Sequence, residues 1–365
     1  SKLVRPPNDD YFDDWSLEDR EHLLLLASKA FHISFPPFVA HKHAIQHYQR
    51  VDDLSPKEVS ILSKYCEFGE IEMPIYLLRN LALFCDAGGV DYFVDCFSLA
   101  SPDQLPLPLA HAMITVINNI KGWVNNSLIR PKLVSLRTNV IDYLCKVPDK
   151  DLRVMSNRTM FEFMWSVVKE LKEHLDLRNV SLDREGLTLA LKYFTSSTLT
   201  MRLTGIAQIN QYISLCSELC HNESTSNQPR IDSMADELAN WIIDNKIIEH
   251  VFGPNSHVEV IKQSNIALTF VVSRITVEHI DVIWSAFQMK HCGRQVLDVL
   301  LPLIKNLNFK PVIHIYWLLK NLDPKDHTEQ TLILASQCLK YIWGQTNTSA
   351  DVIMSNQQVC LSIKF

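Results

Sequence analysis

The sequence predicts an all-α chain whose helices pair and stack as an α-solenoid. Three observations carry that reading: helix-start signals recur every 17–21 residues, an apolar stripe marks almost every segment between them, and glycine is scarce. Only nine of the 365 residues are Gly, well below the ~7% of average usage. A β-sandwich or a dinucleotide-binding α/β enzyme needs more turn glycines than that. With 47% hydrophobic positions, the chain can bury a sizeable core and is not a disordered polymer.

The elements follow in order. Ser16-Leu17-Glu18-Asp19 offers an N-cap with acidic residues in the first turn. Ser55-Pro56-Lys57-Glu58 is a fuller start, with a Ser cap, Pro at the first helical position and Glu three residues past the cap. Further starts fall near Pro37, Met73, Val90, Leu107, Asn126 and Val147, and later at Thr276, Gly293, Lys310 and Thr328. One helix and a short turn fit each interval, so a pair takes about 35–40 residues, the period of tetratricopeptide, HEAT and armadillo arrays. No tetratricopeptide signature recurs, which leaves degenerate HEAT/armadillo-like helical repeats.

The faces agree. Ile280, Ile283, Trp284 and Phe287 lie at i, i+3, i+4 and i+7, and Leu109, Met113, Val116, Ile117 and Ile120 repeat the pattern. Residues 296–304 are apolar nearly all round, which predicts a helix held between neighbours. Pro302 removes one backbone bond there and predicts a kink. Residues 221–231 are polar and without period, a loop or hinge between two halves of the array, 16–220 and 232–345. Residues 1–15 read as an acidic linker with Asp9, Asp10, Asp13 and Asp14. Residues 346–365 read as an extended segment, with strand-like alternation at 359–363.

Charge and cysteine usage bound the function. Lys and Arg total 35 against 41 Asp and Glu, a net charge of −6, where a nucleic-acid binder carries a strongly basic face. The nine cysteines are odd in number and scattered among apolar runs, which reads as reduced thiols in a cytoplasmic or nuclear protein. No N-terminal apolar stretch reads as a signal peptide, and no apolar run approaches the ~20 residues of a membrane span.

Few constellations could carry chemistry. His43 and His47, with His41 nearby, share a helical face at a spacing that can bind zinc, but no acidic residue lies among them. Cys216, Cys220 and His221 fall at i, i+4 and i+5 without a second C-x2-C pair. The pair His291-Cys292 would point about 100° apart on a helix, poor geometry for a base and its nucleophile. Glu170 and Glu173 alternate with Lys169 and Lys172 on a solvated face. The nucleophile elbow, the Walker loop and the dinucleotide fingerprint are all absent. The residues therefore predict no catalytic site, no cofactor and no metal.

Residues 232–343 carry a resemblance. Its blocks are Trp241-Ile242-Ile243-Asp244-Asn245-Lys246-Ile247-Ile248-Glu249-His250-Val251-Phe252-Gly253-Pro254-Asn255, then His257-Val258-Glu259-Val260-Ile261-Lys262-Gln263 and Glu278-His279-Ile280-Asp281-Val282-Ile283-Trp284. Lys290-His291-Cys292, Leu303-Ile304-Lys305-Asn306-Leu307 and His327-Thr328-Glu329-Gln330-Thr331-Leu332 follow. Together they resemble the helical region upstream of the catalytic domain in giant ubiquitin-specific proteases of the fat facets and puffyeye type. That family are cysteine proteases that cleave the isopeptide bond between ubiquitin and its conjugates.

Their nucleophile box has Cys followed by Tyr, and their base box is Gly-His-Tyr. Here no Cys precedes Tyr, and the only His-Tyr, at His47-Tyr48, follows Gln46 and lies upstream of every cysteine. The resemblance thus implies a non-catalytic piece of a deubiquitinase that recruits substrates, adaptors or its own catalytic domain. The alternative from another class is a free-standing armadillo-like adaptor. A third reading, an autonomous hydrolase built on His291 or Cys292, requires activity from this chain alone.

Overall fold

The computed structural model describes residues 55–57, 60, 88–98, 102–120, 130–153, 182–222 and 228–346. Every regular element among them is helical, so the chain is all-α. It divides into two compact units, Ser1–Val180 and Ser181–Phe365. The expected 1–15 linker, the start at Ser16, the His41/His43/His47 group, the Glu170/Glu173 face and the 346–365 tail beyond Thr346 lie outside the described residues. Ser55 does stand immediately before helical Pro56 and Lys57.

In the first unit, α1 is Gly89–Ser98, α2 Leu107–Ile120, α3 Arg130–Lys146 and α4 the single turn Asp149–Leu152. Starts expected near Val90 and Leu107 fall within a residue of those observed. After Val147 the described residues form that one turn, with Pro148 as its N-cap. Phe93 and Phe97 of α1 are buried, as are Leu136, Val140 and Tyr143 of α3, and the two helices pack together. The rings of Phe97 and Tyr143 meet edge-on at 5.8 Å, and Lys132 pairs with Asp91 across the same contact. The Tyr143 hydroxyl donates to the Leu105 carbonyl at 2.6 Å, and burial raises its pKa well above the ordinary value. Tyr143→Phe should cost about 1–2 kcal/mol, because it strands a buried acceptor without creating a void. Equilibrium denaturation of the two proteins checks it; a change below a few tenths of a kcal/mol would refute it.

The second unit carries α5 (Arg184–Phe194), α6 (Leu199–Asn222), α7 (Gln228–Asp244), α8 (Ile247–Phe252), α9 (Val258–Gln263) and α10 (Asn265–Phe270). It continues with α11 (Val277–Phe287), α12 (Gly293–Leu303), α13 (Phe309–Lys320) and α14 (Glu329–Thr346). Two rows are visible in the packing. In one row, Phe194 at the end of α5 meets His250 of α8 edge to face at 6.1 Å, α8 packs on α11, and α11 on α13. In the other, α6 packs on α9 and α10, these on α12, and α12 on α14. Cross-contacts of α5 with α6, α8 with α9, α11 with α12 and α13 with α14 join the rows. This is the stacking of helical pairs that the 17–21-residue spacing predicts.

Local chemistry sets the boundaries. Thr276 caps α11, its hydroxyl receiving the His279 N–H while His279 Nδ1 accepts from the Thr276 N–H at 3.0 Å. A histidine thereby fills the role usually given to Glu or Gln. Lys246 adopts a left-handed conformation, φ 54°, which turns the chain sharply between α7 and α8. The Ile280, Ile283, Trp284 and Phe287 stripe is buried as expected, and so are Val296, Leu297, Val299, Leu300, Leu303 and Ile304.

Pro302 lies inside α12, one residue before its end. Two boundaries differ from those expected. Both edges of the 221–231 stretch are helical: α6 runs through Asn222, and α7 begins at Gln228 with Pro229 in its first turn, where a missing N–H has no partner to lose; residues 223–227 lie outside the described residues. The boundary between compact units falls at Val180/Ser181, and the helices on either side of the expected hinge, α6 and α7, pack on each other within the second unit.

Candidate functional site

Burial decides the fate of the residues singled out in the sequence. Cys292 is 1% exposed at the N-cap of α12. Its thiol donates to the Ala286 carbonyl at 3.2 Å and lies 3.7 Å from the Ser256 hydroxyl. It closes the α11–α12 turn, facing inward, while His291 is exposed. Cys216 is buried on α6, and Cys220 and His221 follow in its last turn. Burial raises the pKa of Cys338 to about 12 and also raises that of Cys96, so these thiols are poorer nucleophiles than an exposed cysteine. Among the described residues no three His, Cys, Asp or Glu side chains stand close enough to share a metal. Among them, too, no helix is long and apolar enough to cross a membrane.

What the second unit does offer is surface. On α14, Leu332, Leu339 and Trp343 lie at i, i+7 and i+11 on one face, and Trp343 is 67% exposed. On neighbouring α13, Trp317 is 39% exposed with the Lys320 ammonium 4.7 Å above its ring. Large exposed apolar side chains gathered on adjacent elements are the usual mark of a protein-contact surface.

The other feature is a cavity of about 530 Å³ between the α5–α6 connection and the α8–α9 turn. Leu199 forms an apolar wall with the fully buried Phe194 behind it, Ser196 and Ser197 stand beside it, and Arg202, His250 and His257 are the basic groups. Arg202 is 8% exposed. Its Nη1 donates to the Asn255 carbonyl at 2.5 Å and its Nη2 to the His250 carbonyl at 3.0 Å. Those carbonyls belong to the end of α8 and the turn after it, where a cation complements the helix dipole. Burial pulls the guanidinium down from its ordinary pKa. His257 caps α9, its Nδ1 accepting the Glu259 N–H at 3.2 Å. The sequence reading missed this cavity, since its basic residues are 48 and 55 positions apart (202, 250 and 257) and share no motif.

Comparison with known proteins places the chain. Residues 180–310 match the family model described as the UBP24/USP9X/USP9Y ARM repeat. Over 356 residues, 97% of its length, the chain is 43% identical to ubiquitin carboxyl-terminal hydrolase 34 of Homo sapiens. Over 342 residues, 93% of its length, it is 42% identical to ubiquitin carboxyl-terminal hydrolase puf of Drosophila melanogaster. The chain spans about a tenth of the length of these relatives. No solved structure matches it. The resemblance to giant ubiquitin-specific proteases, read from residues 232–343, therefore holds, and it extends over nearly the whole chain.

Proposed function

We propose that this chain is a non-catalytic, partner-recruiting solenoid segment of a large deubiquitinating cysteine protease, in a polypeptide whose catalytic domain removes ubiquitin from protein conjugates. The similarity to ubiquitin carboxyl-terminal hydrolases over 97% of the chain carries this reading. Two features support it. Stacked helical pairs present side chains along a row without needing an enclosed active site, and the exposed Trp317, Leu332, Leu339 and Trp343 suit contact with protein. Partners would be ubiquitinated substrates, adaptors or the parent's own catalytic domain, with no nucleic acid and no membrane. Residence in the cytoplasm or nucleus fits the nine scattered cysteines.

The chemistry of isopeptide hydrolysis argues against activity from this chain alone. A thiolate must attack the carbonyl, a histidine must take and return the proton, and donors must hold the oxyanion. The Cys292 thiol is spent on the Ala286 carbonyl and shut off from solvent. The chain alone should neither cleave a ubiquitin C-terminal reporter nor react with an electrophilic ubiquitin probe. When supplied in trans, it should change the turnover or substrate choice of the parent's catalytic domain. Probe labelling that vanishes in Cys292→Ala would overturn the proposal.

A further inference from the structure

We infer that the cavity between the α5–α6 connection and the α8–α9 turn binds a single oxyanion, a carboxylate or a phosphate borne on a segment of a protein partner. The pocket chemistry stands by itself; only the protein origin of the anion rests on the function proposed above. At about 530 Å³ the cavity is within the ~300–1,000 Å³ range of ligand pockets. No Asp or Glu lines it, whereas Arg202, His250 and His257 do. Arg202 is more than nine-tenths buried, and its hydrogen bonds go to two backbone carbonyls.

Capping those carbonyls accounts for two of the five guanidinium N–H donors and neutralises none of its charge. A buried cation held only by dipoles is costly unless an anion completes it. The surrounding groups suit one. Ser197 is exposed at the rim, and Leu199 opens the 24-residue helix α6 at the cavity's edge. Its first-turn N–H groups have no partner within the helix, and the helix dipole favours negative charge there. Leu199 gives the stem of an acidic or phosphorylated side chain an apolar wall. The exposed apolar patch on α13 and α14 is a weaker candidate, since nothing about it says which surface would cover it.

The test uses the whole 365-residue chain at constant ionic strength. Inorganic phosphate is titrated first and followed by broadening of its 31P resonance. Calorimetry then compares the peptide Gly-Leu-phosphoSer-Leu-Gly with its Glu counterpart and its unmodified Ser parent. Phosphate should bind saturably, and the phosphorylated or Glu peptide at least tenfold more tightly than the Ser parent. Ser197→Asp places a carboxylate at the exposed rim without burying anything, and should weaken phosphate at least tenfold. Arg202→Gln should do the same, with circular dichroism reporting whether its helices persist; if they do not, Ser197→Asp decides. Absence of saturable phosphate binding, or binding unchanged by Ser197→Asp, would overturn the site. Phosphate binding without preference for either acidic peptide would overturn the protein origin of the anion. Partner capture elsewhere on the solenoid, read by crosslinking, would survive either failure.

Discussion

Gly205→Ala should destabilise the second unit by about 3 kcal/mol, at or beyond the upper end of ordinary overpacking. Gly205 lies where α6 crosses α5 most closely. A Cβ added there would sit 2.6 Å from the Phe194 Cα and 2.7 Å from the Ala190 carbonyl oxygen, and closer still to the Phe194 nitrogen. All three are backbone atoms, so no rotamer change relieves the clash and the helices themselves must part. Alanine's higher helix propensity returns only about 1 kcal/mol. Gly344→Ala on α14 is the control, since its Cβ would meet nothing within 4 Å; there the same substitution should be neutral or stabilising by up to ~1 kcal/mol. Chemical denaturation of both variants checks the contrast, and equal effects at the two sites would defeat the close-approach argument.

Phe252→Ala should be as damaging, at about 3–5 kcal/mol. The ring is 2% exposed on a helix of only six residues, so α8 has no length to compensate for a lost anchor. Ile247, Ile248 and Val251 bury the rest of that short helix, which packs on α11. The void would therefore open between successive pairs of the array. The measurement is the denaturation midpoint together with amide exchange in α8 and α11. Unchanged exchange in both helices would show that the ring is not the anchor described.

Much of this architecture was legible because it is written in local signals. Thr276, Gly293, Lys310 and Thr328 mark helix starts to within a residue, since caps and breakers act over one turn. The 247–270 stretch was less legible. It carries none of the start signals read above, yet Gly253-Pro254 and the buried Ser264, whose hydroxyl bonds back to the Ile261 carbonyl at 2.7 Å, divide it into three short helices. Pro229 misled because a proline in a polar run suggests a loop, whereas in a first turn it is at home.

The cavity was the hardest to foresee. One trace of it exists in the sequence: Arg202 occupies the first place of a stripe that continues with Ile206, Ile209 and Ile213, all buried. A cation at an apolar register position signals a buried charge, but not the His250 and Asn255 carbonyls that receive it, which lie about fifty residues further on.

The two-row stacking of the second unit also bears on how the polypeptide reaches its native state. Each helix is completed by neighbours one to four elements away in the chain, so forming any one contact closes only a modest loop, at a small entropic cost. Such a topology has low contact order and belongs with fast-folding architectures. It lets structure begin at any hairpin, the tight α5–α6 pair included, and spread outward one helix at a time. A chain of this kind can acquire order progressively during synthesis, without waiting for its far end.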